Sequence, residues 1–188
     1  MRILILGPQG SGKGTQAQRI ASAYGVPHIA TGDMFRAAVA TGSELGAQVG
    51  PILERGDLVP DDLTIDLIRE RLAEEDGFVL DGFPRTVPQA EALDTMLDEI
   101  GKPLDAVILL QVSDDVATER LRERAAKEGR ADDSPEAIAN RLRQYHELTE
   151  LVVDRYQQAG IEVIVDGEQT MDVVLAAIQD ALEGVTAR

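Results

Sequence analysis

Short apolar runs alternate with longer amphipathic stretches along this chain. The first run, Ile3 to Leu6, contains only branched apolar residues and stops at a glycine, which is typical of a buried strand in a parallel sheet. Runs of similar character predict five strands, at residues 1–6, 28–30, 78–81, 104–112 and 161–166. The intervening stretches have helical periodicity and predict helices at residues 12–24, 31–42, 46–55, 61–74, 87–100, 114–127, 135–159 and 170–183. This alternation indicates an α/β fold, in which a five-stranded parallel sheet is flanked by helices that form right-handed crossovers.

Several of the predicted helices are bounded by residues that usually start or stop a helix. Thr31 and Thr170 are expected to precede the second and the last helix as caps. Ser134 followed by Pro135 is expected to start the long helix, and Gly160 to close it.

Two stretches depart from the simple alternation. Residues 31–74 hold several helices in succession, too many for one crossover, which predicts an inserted helical subdomain. Residues 125–134 are small, polar and charged, and they indicate a mobile loop of the kind that acts as a lid. We therefore expect one core with two appended parts.

Composition limits the class of protein. A chain of 188 residues is long enough for one domain with a substantial core. No apolar run is long enough to span a bilayer, and the N-terminus lacks the shape of a signal peptide. Because there is no cysteine, disulfides and cysteine-based zinc sites are excluded. These observations predict a cytoplasmic protein.

The most informative motif is the glycine loop Gly7 to Thr15, with the sequence GPQGSGKGT. It lies between a predicted strand and a predicted helix, the context in which such a loop binds phosphate. Glycines let backbone N–H groups converge on an anion, the helix N-terminus adds free donors, and Lys13 supplies a positive charge. The match is not strict, because Gly14 stands where Ser or Thr usually follows the lysine and Thr15 comes one residue later. The alternative is a tight glycine turn without a ligand.

The net charge of −16 argues against nucleic acid and against an anionic membrane as partners. A phosphate-binding motif on so acidic a chain requires that the cations gather locally in a cleft. The chain has 15 arginines and 3 lysines, and guanidinium groups bind phosphate oxygens with two hydrogen bonds at once. The alternative explanation for this excess of arginine over lysine is a genome rich in G and C.

A second motif, Asp81 to Arg85 (DGFPR), follows a predicted strand. Open parallel sheets bind ligands at the edge where the strands have their carboxyl ends. Asp81 is placed to hold Mg²⁺, directly or through water, and Arg85 to bind a phosphate. The alternative is a turn that carries a surface ion pair.

Together these motifs resemble the adenylate kinase family over nearly the whole chain. The resemblance is carried, in the family's order, by Gly7 to Thr15, Thr31 to Arg36, Gly56 to Pro60, Asp81 to Arg85, Gln89 and the arginines at 120, 124, 130 and 141. It implies a core of residues 1–30, 60–123 and 134–188, a nucleoside monophosphate (NMP) subdomain at residues 31–59 and a short lid at residues 124–133. The lid of adenylate kinase is itself a standard example of a closing element.

The resemblance also implies the role of each matching residue. The residues expected to bind ATP are Gly10, Ser11, Gly12, Lys13, Gly14, Thr15, Arg120, Arg124 and, by the backbone of a variable turn, Gln169. Those expected to bind AMP are Thr31, Arg36, Asp57, Leu58, Val59, Gly82, Phe83, Pro84, Arg85, Gln89, Arg130 and Arg141. The catalytic set is Lys13, Arg85, Arg124, Arg130 and Arg141. Arg120 and Arg124 also share one helix face, for which a solvated basic face is the ordinary explanation.

Mg²⁺ is the implied cofactor, held through phosphates and water, with Asp81 as its candidate carboxylate and Asp33 behind it. No zinc is expected, because the lid is of the short type. Asp132 and Asp133 are interpreted as candidate supporting groups at the site, with helix-start acids as the alternative. Gln9 stands where many relatives carry a small residue or proline, and its side chain is expected to point outward.

The implied reaction is reversible phosphoryl transfer from Mg-ATP to AMP, which gives two ADP and maintains the balance of adenine nucleotides. The expected partners are ATP, AMP and ADP, and the enzyme is expected to be a monomer. Three alternatives stay open: a kinase for another NMP or with GTP as donor, a nucleotide-responsive module without turnover, and a plain phosphate-loop hydrolase. A panel of monophosphates at fixed Mg-ATP distinguishes the first alternative, and formation of ADP only when ATP and AMP are both present excludes the second. A hydrolase would release inorganic phosphate from ATP alone.

Overall fold

The computed structural model describes residues 1–186. Its five strands form one sheet in the order β2-β3-β1-β4-β5, and every pair is parallel. The strands are β1 (Arg2–Leu6), β2 (His28–Ala30), β3 (Phe78–Asp81), β4 (Ala106–Gln111) and β5 (Glu162–Asp166). The predicted α/β fold is therefore confirmed. Because all strands run the same way, the residues that follow their carboxyl ends meet along one edge of the sheet.

Helices cover both faces of this sheet, as the apolar character of its strands requires. They are α1 (Lys13–Tyr24), α2 (Thr31–Thr41), α3 (Glu44–Glu54), α4 (Asp61–Leu72), α5 (Val87–Glu99), α6 (Asp114–Glu128), α7 (Pro135–Gln144), α8 (Glu150–Ala159) and α9 (Met171–Thr186). Alternate residues of β1 enter different cores: Leu4 packs in the cluster on one face, and Ile3 and Ile5 in the cluster on the other. The sheet is thus anchored on both faces and presents its carboxyl edge to the site.

The long helix predicted at residues 135–159 is interrupted. Between α7 and α8, residues Tyr145–Thr149 form a π-helical turn, hereafter the π-turn. The N–H of Glu150 donates to the carbonyl of Tyr145, five residues back. A π-turn inserts one residue into the helical ladder and keeps the helix continuous, so the apolar periodicity gives little sign of it.

Two further local predictions are wrong. Residues 125–128 belong to α6 rather than to a loop, because alanine, lysine and glutamate there are strong helix formers. The helix ends at Gly129, with φ +62°, and a short 3₁₀ turn, Ala131–Asp133, follows. Thr31 is the first residue of α2 and not its cap; Ala30 takes that position, and no side chain caps the helix.

Among residues 1–186, every helix is too short or too polar to cross a membrane.

Candidate active site

The glycine loop joins β1 to α1 at the carboxyl edge of the sheet. Gly7, Gly10 and Gly12 have φ values of +141°, +85° and +92°, which residues with a side chain rarely adopt. A Cβ atom at Gly10 would lie 2.4 Å from the carbonyl oxygen of Ala117 in α6, so only glycine fits there. Gly12 caps α1, whose first N–H groups have no partner within the helix. The loop and the helix start therefore present the free N–H groups that an anion-binding site requires.

Lys13, the first residue of α1, curls back over the glycine loop. Its Nζ donates to the carbonyl oxygens of Gly7 and Pro8, at 2.7 and 2.8 Å. Burial lowers the pKa of Lys13 to about 8, although the charge of Asp81 opposes this shift, and the charge of Arg85 lowers the pKa further. Within residues 1–186, no carboxylate lies within ion-pair distance of this ammonium group. Its charge is therefore available to a phosphate.

The second motif continues from β3 and faces the glycine loop. Gly82 has φ +81°, and a Cβ atom there would lie 2.6 Å from the hydroxyl of Thr31. Phe83 is fully buried and is joined to Pro84 by a cis peptide bond. We call the space between the two motifs the phosphate cleft; its walls include Gly7, Gln9, Lys13, Gly82, Phe83, Pro84 and Arg85. The strands that carry the motifs, β1 and β3, are direct neighbours.

Arg85 is the second cation of the phosphate cleft. Its Nε donates to the carbonyl of Gly82 at 2.9 Å, and among the described residues no carboxylate forms an ion pair with it. Burial lowers the pKa of Arg85 to about 10, and the charge of Arg141 lowers it further. Arg85 remains charged at neutral pH, so Lys13 and Arg85 both offer positive charge without a carboxylate partner.

Gln9 also faces inward. Its Oε1 is buried and has no hydrogen-bond partner among residues 1–186. The expectation that this side chain points outward is wrong, because the turn of the glycine loop directs it into the phosphate cleft.

Asp81 carries the carboxylate that borders the start of α1. A Cβ atom at Gly14 would lie 3.5 Å from its Oδ2. Burial raises the pKa of Asp81, but the ring of His28, 3.8 Å away, and the charges of Lys13 and Arg85 outweigh burial, and the pKa falls below its ordinary value. An ionised oxygen ligand beside the glycine loop fits Mg²⁺, which binds proteins through one or two carboxylates plus phosphates and water. In residues 1–186, no three His, Asp or Glu side chains form a group that could hold a metal by themselves.

Two adjacent carboxylates hold three of the predicted arginines. Asp133 accepts two hydrogen bonds from Arg124, at 2.8 and 2.7 Å, and one from Arg141 at 2.9 Å. Asp132 accepts one from Arg141 at 2.6 Å and lies 3.5 Å from Arg36. Both oxygens of Asp133 and Oδ2 of Asp132 are thus held close to guanidinium groups. The fold therefore brings Arg36, Arg124 and Arg141 to one place.

Sequence analysis treated Asp132 and Asp133 only as candidate supporting groups and missed the central part that they play. The available signal was their position, two and three residues after Arg130 and between arginines that were already assigned to the site. Arg130 itself pairs with Glu128 at 2.6 Å rather than with these carboxylates.

Removing Asp133 is expected to destabilise the fold. Asp133→Ala leaves two guanidinium groups without their shared acceptor and should lower the free energy of unfolding by about 2–3 kcal/mol. A fully buried pair would lose roughly 3–5 kcal/mol, and the smaller figure reflects the 29% exposure of the Arg124 side chain. Urea unfolding measures the change. Asp172→Ala is the control, since Asp172 also pairs with an arginine but is 85% exposed; equal losses in the two variants would contradict the expectation.

Two of the residues predicted to bind AMP, Gln89 and Arg85, contact each other. Gln89 is buried; its Nε2 donates to Asp61 at 2.7 Å and its Oε1 accepts from the N–H of Arg85 at 2.8 Å. Both ends of the amide predicted to reach adenine thus contact protein. Asp33 pairs with Arg36 at 2.5 Å and is exposed, with no contact to Asp81 recorded within residues 1–186.

Two residues of α7 hold the predicted AMP loop, and sequence analysis did not find them. Gln144 accepts from the N–H of Leu58 at 3.0 Å and donates to the carbonyl of Gly56 at 3.1 Å. Asn140 donates to Asp57 at 2.7 Å. The partners are more than eighty residues apart in sequence, and nothing in either segment indicates the pairing. Val59, which follows Leu58 in the predicted AMP loop, is buried.

On the ATP side, Arg120 reaches the turn that follows β5. Its Nη1 donates to the carbonyl of Gly167 at 2.9 Å. Gln169, in the same turn, donates to Asp166 at 2.7 Å and is exposed. Arg120 and this turn are therefore in contact. Of the glycine-loop residues that are predicted to bind ATP, Ser11 is buried, whereas Thr15, at the start of α1, is exposed.

A second cavity, of about 580 Å³, is larger than the phosphate cleft. It lies between the ends of β4 and β5 and the π-turn, and acidic residues such as Glu150, Asp154 and Glu162 line it. Carboxylates repel polyphosphates, so the smaller cleft with Lys13 and Arg85 is the candidate active site.

Comparison with known proteins adds independent findings. The adenylate kinase family model matches residues 5–161 of this chain. A protein of Stenotrophomonas maltophilia strain R551-3, named adenylate kinase, is 48% identical over 187 residues, which are 98% of this chain and 100% of that protein. An adenylate kinase of Xanthomonas euvesicatoria pv. vesicatoria strain 85-10 is 48% identical over 185 residues, which are 97% of this chain and 99% of that protein.

Proposed function

This chain belongs to the adenylate kinase family and catalyses reversible phosphoryl transfer from ATP to AMP, and we propose that Lys13 and Arg85 are the cations at the centre of that reaction. The family and the reaction inferred from the sequence are thereby confirmed. One observation carries the proposal for the two residues: both project into the phosphate cleft from adjacent strand ends, and within residues 1–186 neither has a carboxylate partner.

The remaining residues divide between the two nucleotides in this proposal. Gly10 to Thr15, Arg120, Arg124 and the turn with Gln169 bind ATP, because they surround the glycine loop and the end of β5. Thr31, Arg36, Asp57 to Val59, Gly82 to Arg85, Gln89, Arg130 and Arg141 bind AMP. To bind the adenine of AMP, the Gln89 amide would have to give up its hydrogen bond with Asp61 or with the N–H of Arg85. Otherwise Gln89 would act indirectly, by holding Arg85 in place. Residues 31–59 form the NMP subdomain and residues 124–133 the lid.

Mg²⁺ fits the site beside Asp81. When bound with ATP, it neutralises phosphate charge and holds phosphate oxygens in position. Asp81 would hold it directly or through water, and the low pKa of Asp81 keeps the carboxylate ionised for that purpose. Asp33 pairs with Arg36 on the surface and is the weaker candidate for a supporting role.

The residues present suit a reaction that is limited by repulsion between two polyanions. The acceptor phosphate is already ionised near neutral pH, since its second pKa is about 6, so no general base is required. Lys13 and Arg85 would bind phosphate oxygens and stabilise the charge that spreads over the transferring group. Arg36, Arg124 and Arg141 stand close by, held by Asp132 and Asp133, and can exchange a carboxylate for a phosphate.

Water has to be excluded, since a phosphoryl group so activated would otherwise be hydrolysed. The turn Ala131–Asp133 is tied through Asp133 to Arg124 and Arg141, so the lid segment is already linked to the arginines of the site. We propose that the lid closes over the donor phosphates and that Arg124 and Arg141 connect it to the site. We further propose that the protein works in the cytoplasm as a monomer.

The proposed function is tested by product analysis. With Mg-ATP and AMP together the enzyme should form two ADP, and with either nucleotide alone it should form none. Inorganic phosphate from ATP alone would indicate a hydrolase, and nucleotide binding without product would indicate a regulatory module. A panel of AMP, GMP, CMP and UMP at fixed Mg-ATP then tests whether AMP is the preferred acceptor.

The low pKa of Lys13 predicts an alkaline loss of activity. Burial favours the neutral amine and lowers the pKa from 10.5 to about 8, so above pH 8 most of the free enzyme lacks this charge. The value of kcat/KM for Mg-ATP should therefore fall above pH 8, whereas kcat at saturation should fall less, because bound phosphate restores the proton. Lys13→Arg should move the decline to higher pH, since a guanidinium stays charged there; an unchanged profile in that variant would contradict the assignment.

A further inference from the structure

We propose that Thr149, in the π-turn, is a positioning residue for Arg85. The inference builds on the proposed function of Arg85 and concerns how that side chain is held. The Thr149 hydroxyl donates to the backbone carbonyl of Arg85 at 3.0 Å, across 64 positions of sequence. Thr149 is 6% exposed, so water does not compete readily for this hydrogen bond.

The backbone of Arg85 is held on both sides by side chains from different elements. Its N–H donates to Oε1 of Gln89 in α5, at 2.8 Å, and its carbonyl accepts from Thr149. Its Nε donates to the carbonyl of Gly82. These bonds hold the backbone and one edge of the guanidinium and leave its terminal nitrogens without a hydrogen-bond partner among residues 1–186, at the wall of the phosphate cleft. The geometry is that of a preorganised phosphate ligand.

The hydroxyl of Thr149 bonds outside its own helix. Threonines within helices commonly donate to the carbonyl four residues earlier, and Thr95 in α5 does so, to Glu91 at 2.8 Å. For Thr149 the equivalent acceptor would be the carbonyl of Tyr145, at the start of the π-turn. The Thr149 hydroxyl donates to Arg85 instead.

The same bond ties Arg85 to the helix that carries Arg141. Arg141 lies in α7, about two helical turns before Thr149 in a continuous helix. The Thr149 bond therefore sets how far the Arg85 loop stands from the Arg141 helix. A shift of the Arg85 guanidinium would misplace charge stabilisation in the transition state and affect kcat more than substrate binding.

The first test is Thr149→Val, which keeps the shape of the side chain and removes the donor. We expect kcat to fall about tenfold, since displacements of order 1 Å can change rates by up to about 100-fold, with KM for ATP within about twofold of the parent. Thr149→Ser keeps a hydroxyl and should restore kcat. Thr95→Val is the matched control, because it removes a helical threonine donor far from the site and should leave kcat unchanged. Should Thr149→Val fail to fold, Thr149→Ala is compared with Thr149→Ser by the same kinetics.

A double-mutant cycle separates positioning from general support of the fold. If Thr149 acts through Arg85, Thr149→Val should change the residual kcat of Arg85→Ala by less than about twofold. The same tenfold loss in both backgrounds, or no loss in the parent, would overturn the inference. The kcat of Arg85→Ala alone tests the proposed function separately: a large loss there with a neutral Thr149→Val removes only the inference, and an active Arg85→Ala removes the proposed role of Arg85.

Discussion

Lys13→Ala is expected to lower kcat by at least about 100-fold, the loss that follows removal of one preorganised charge stabiliser. The ammonium group lies over the glycine loop, bonded only to the carbonyls of Gly7 and Pro8, and no other described residue supplies a positive charge from that wall of the phosphate cleft. The measurement is steady-state kinetics with saturating Mg-ATP and AMP.

The fold should survive this loss. The pKa of Lys13 is lowered in the folded protein, which means that folding disfavours its charged form. At pH 7 the lysine is protonated in both the folded and the unfolded protein, so the cost of burying its charge reduces the free energy of unfolding in full. This cost is relieved only as the pH rises from about 8 toward 10.5. Lys13→Met, which keeps the apolar stem and removes the charge, should therefore be at least as stable as the parent at pH 7.

Lys102→Ala is the control for these variants, because Lys102 is on the surface and pairs with the exposed carboxylate of Asp76. Its kcat should equal that of the parent. A Lys13→Ala enzyme within twofold of the parent would count against the phosphate-binding role of the glycine loop.

Arg85→Ala should have an effect of similar size, with kcat reduced about 100-fold or more. The guanidinium of Arg85 is buried and charged, and its Nε is held by the carbonyl of Gly82. Arg85 is the only basic residue of the Asp81–Arg85 motif, so its terminal nitrogens are the only positively charged donors that this motif offers to a phosphate. Arg85→Lys should recover only part of the activity, since an ammonium group cannot form two parallel hydrogen bonds with a phosphate.

The appropriate comparison for Arg85→Ala is Arg155→Ala. Arg155 pairs with Asp94 on the surface of α8, away from the phosphate cleft, and its removal should leave kcat unchanged. Circular dichroism and thermal unfolding of both variants show whether the fold is intact. Unchanged kinetics of a folded Arg85→Ala would remove this residue from the site.

The parts of the fold that depend on local pattern could be predicted from the sequence. The apolar run Ile3 to Leu6, the glycines after it and the helix formers that follow identify one strand, one anion-binding loop and one helix without reference to the rest of the chain. The Asp81–Arg85 motif could be identified in the same way, because its strand and turn are contiguous in the sequence. For these segments the predicted and observed boundaries differ by one residue at most.

Contacts between distant segments could not be predicted. The position of Asp133 between assigned arginines suggests that it lies near the site, but its hydrogen bonds from two arginines depend on how α6 and α7 pack. Gln89 could be assigned to an adenine edge from its side-chain chemistry, but its amide bonds Asp61 and Arg85, which only the packing of α4 and α5 reveals. The π-turn was missed because one inserted residue barely alters the apolar periodicity.

The contact between Gly10 and Ala117 has a mechanical consequence. Because these two backbones pack together without an intervening side chain, we expect the glycine loop and the first turn of α6 to move as one rigid body. Any bending between the glycine loop and the proposed lid then has to occur farther along the chain than Ala117. Gly129 has a left-handed backbone in open space and directly follows the end of α6, and we propose it as the hinge of this bending.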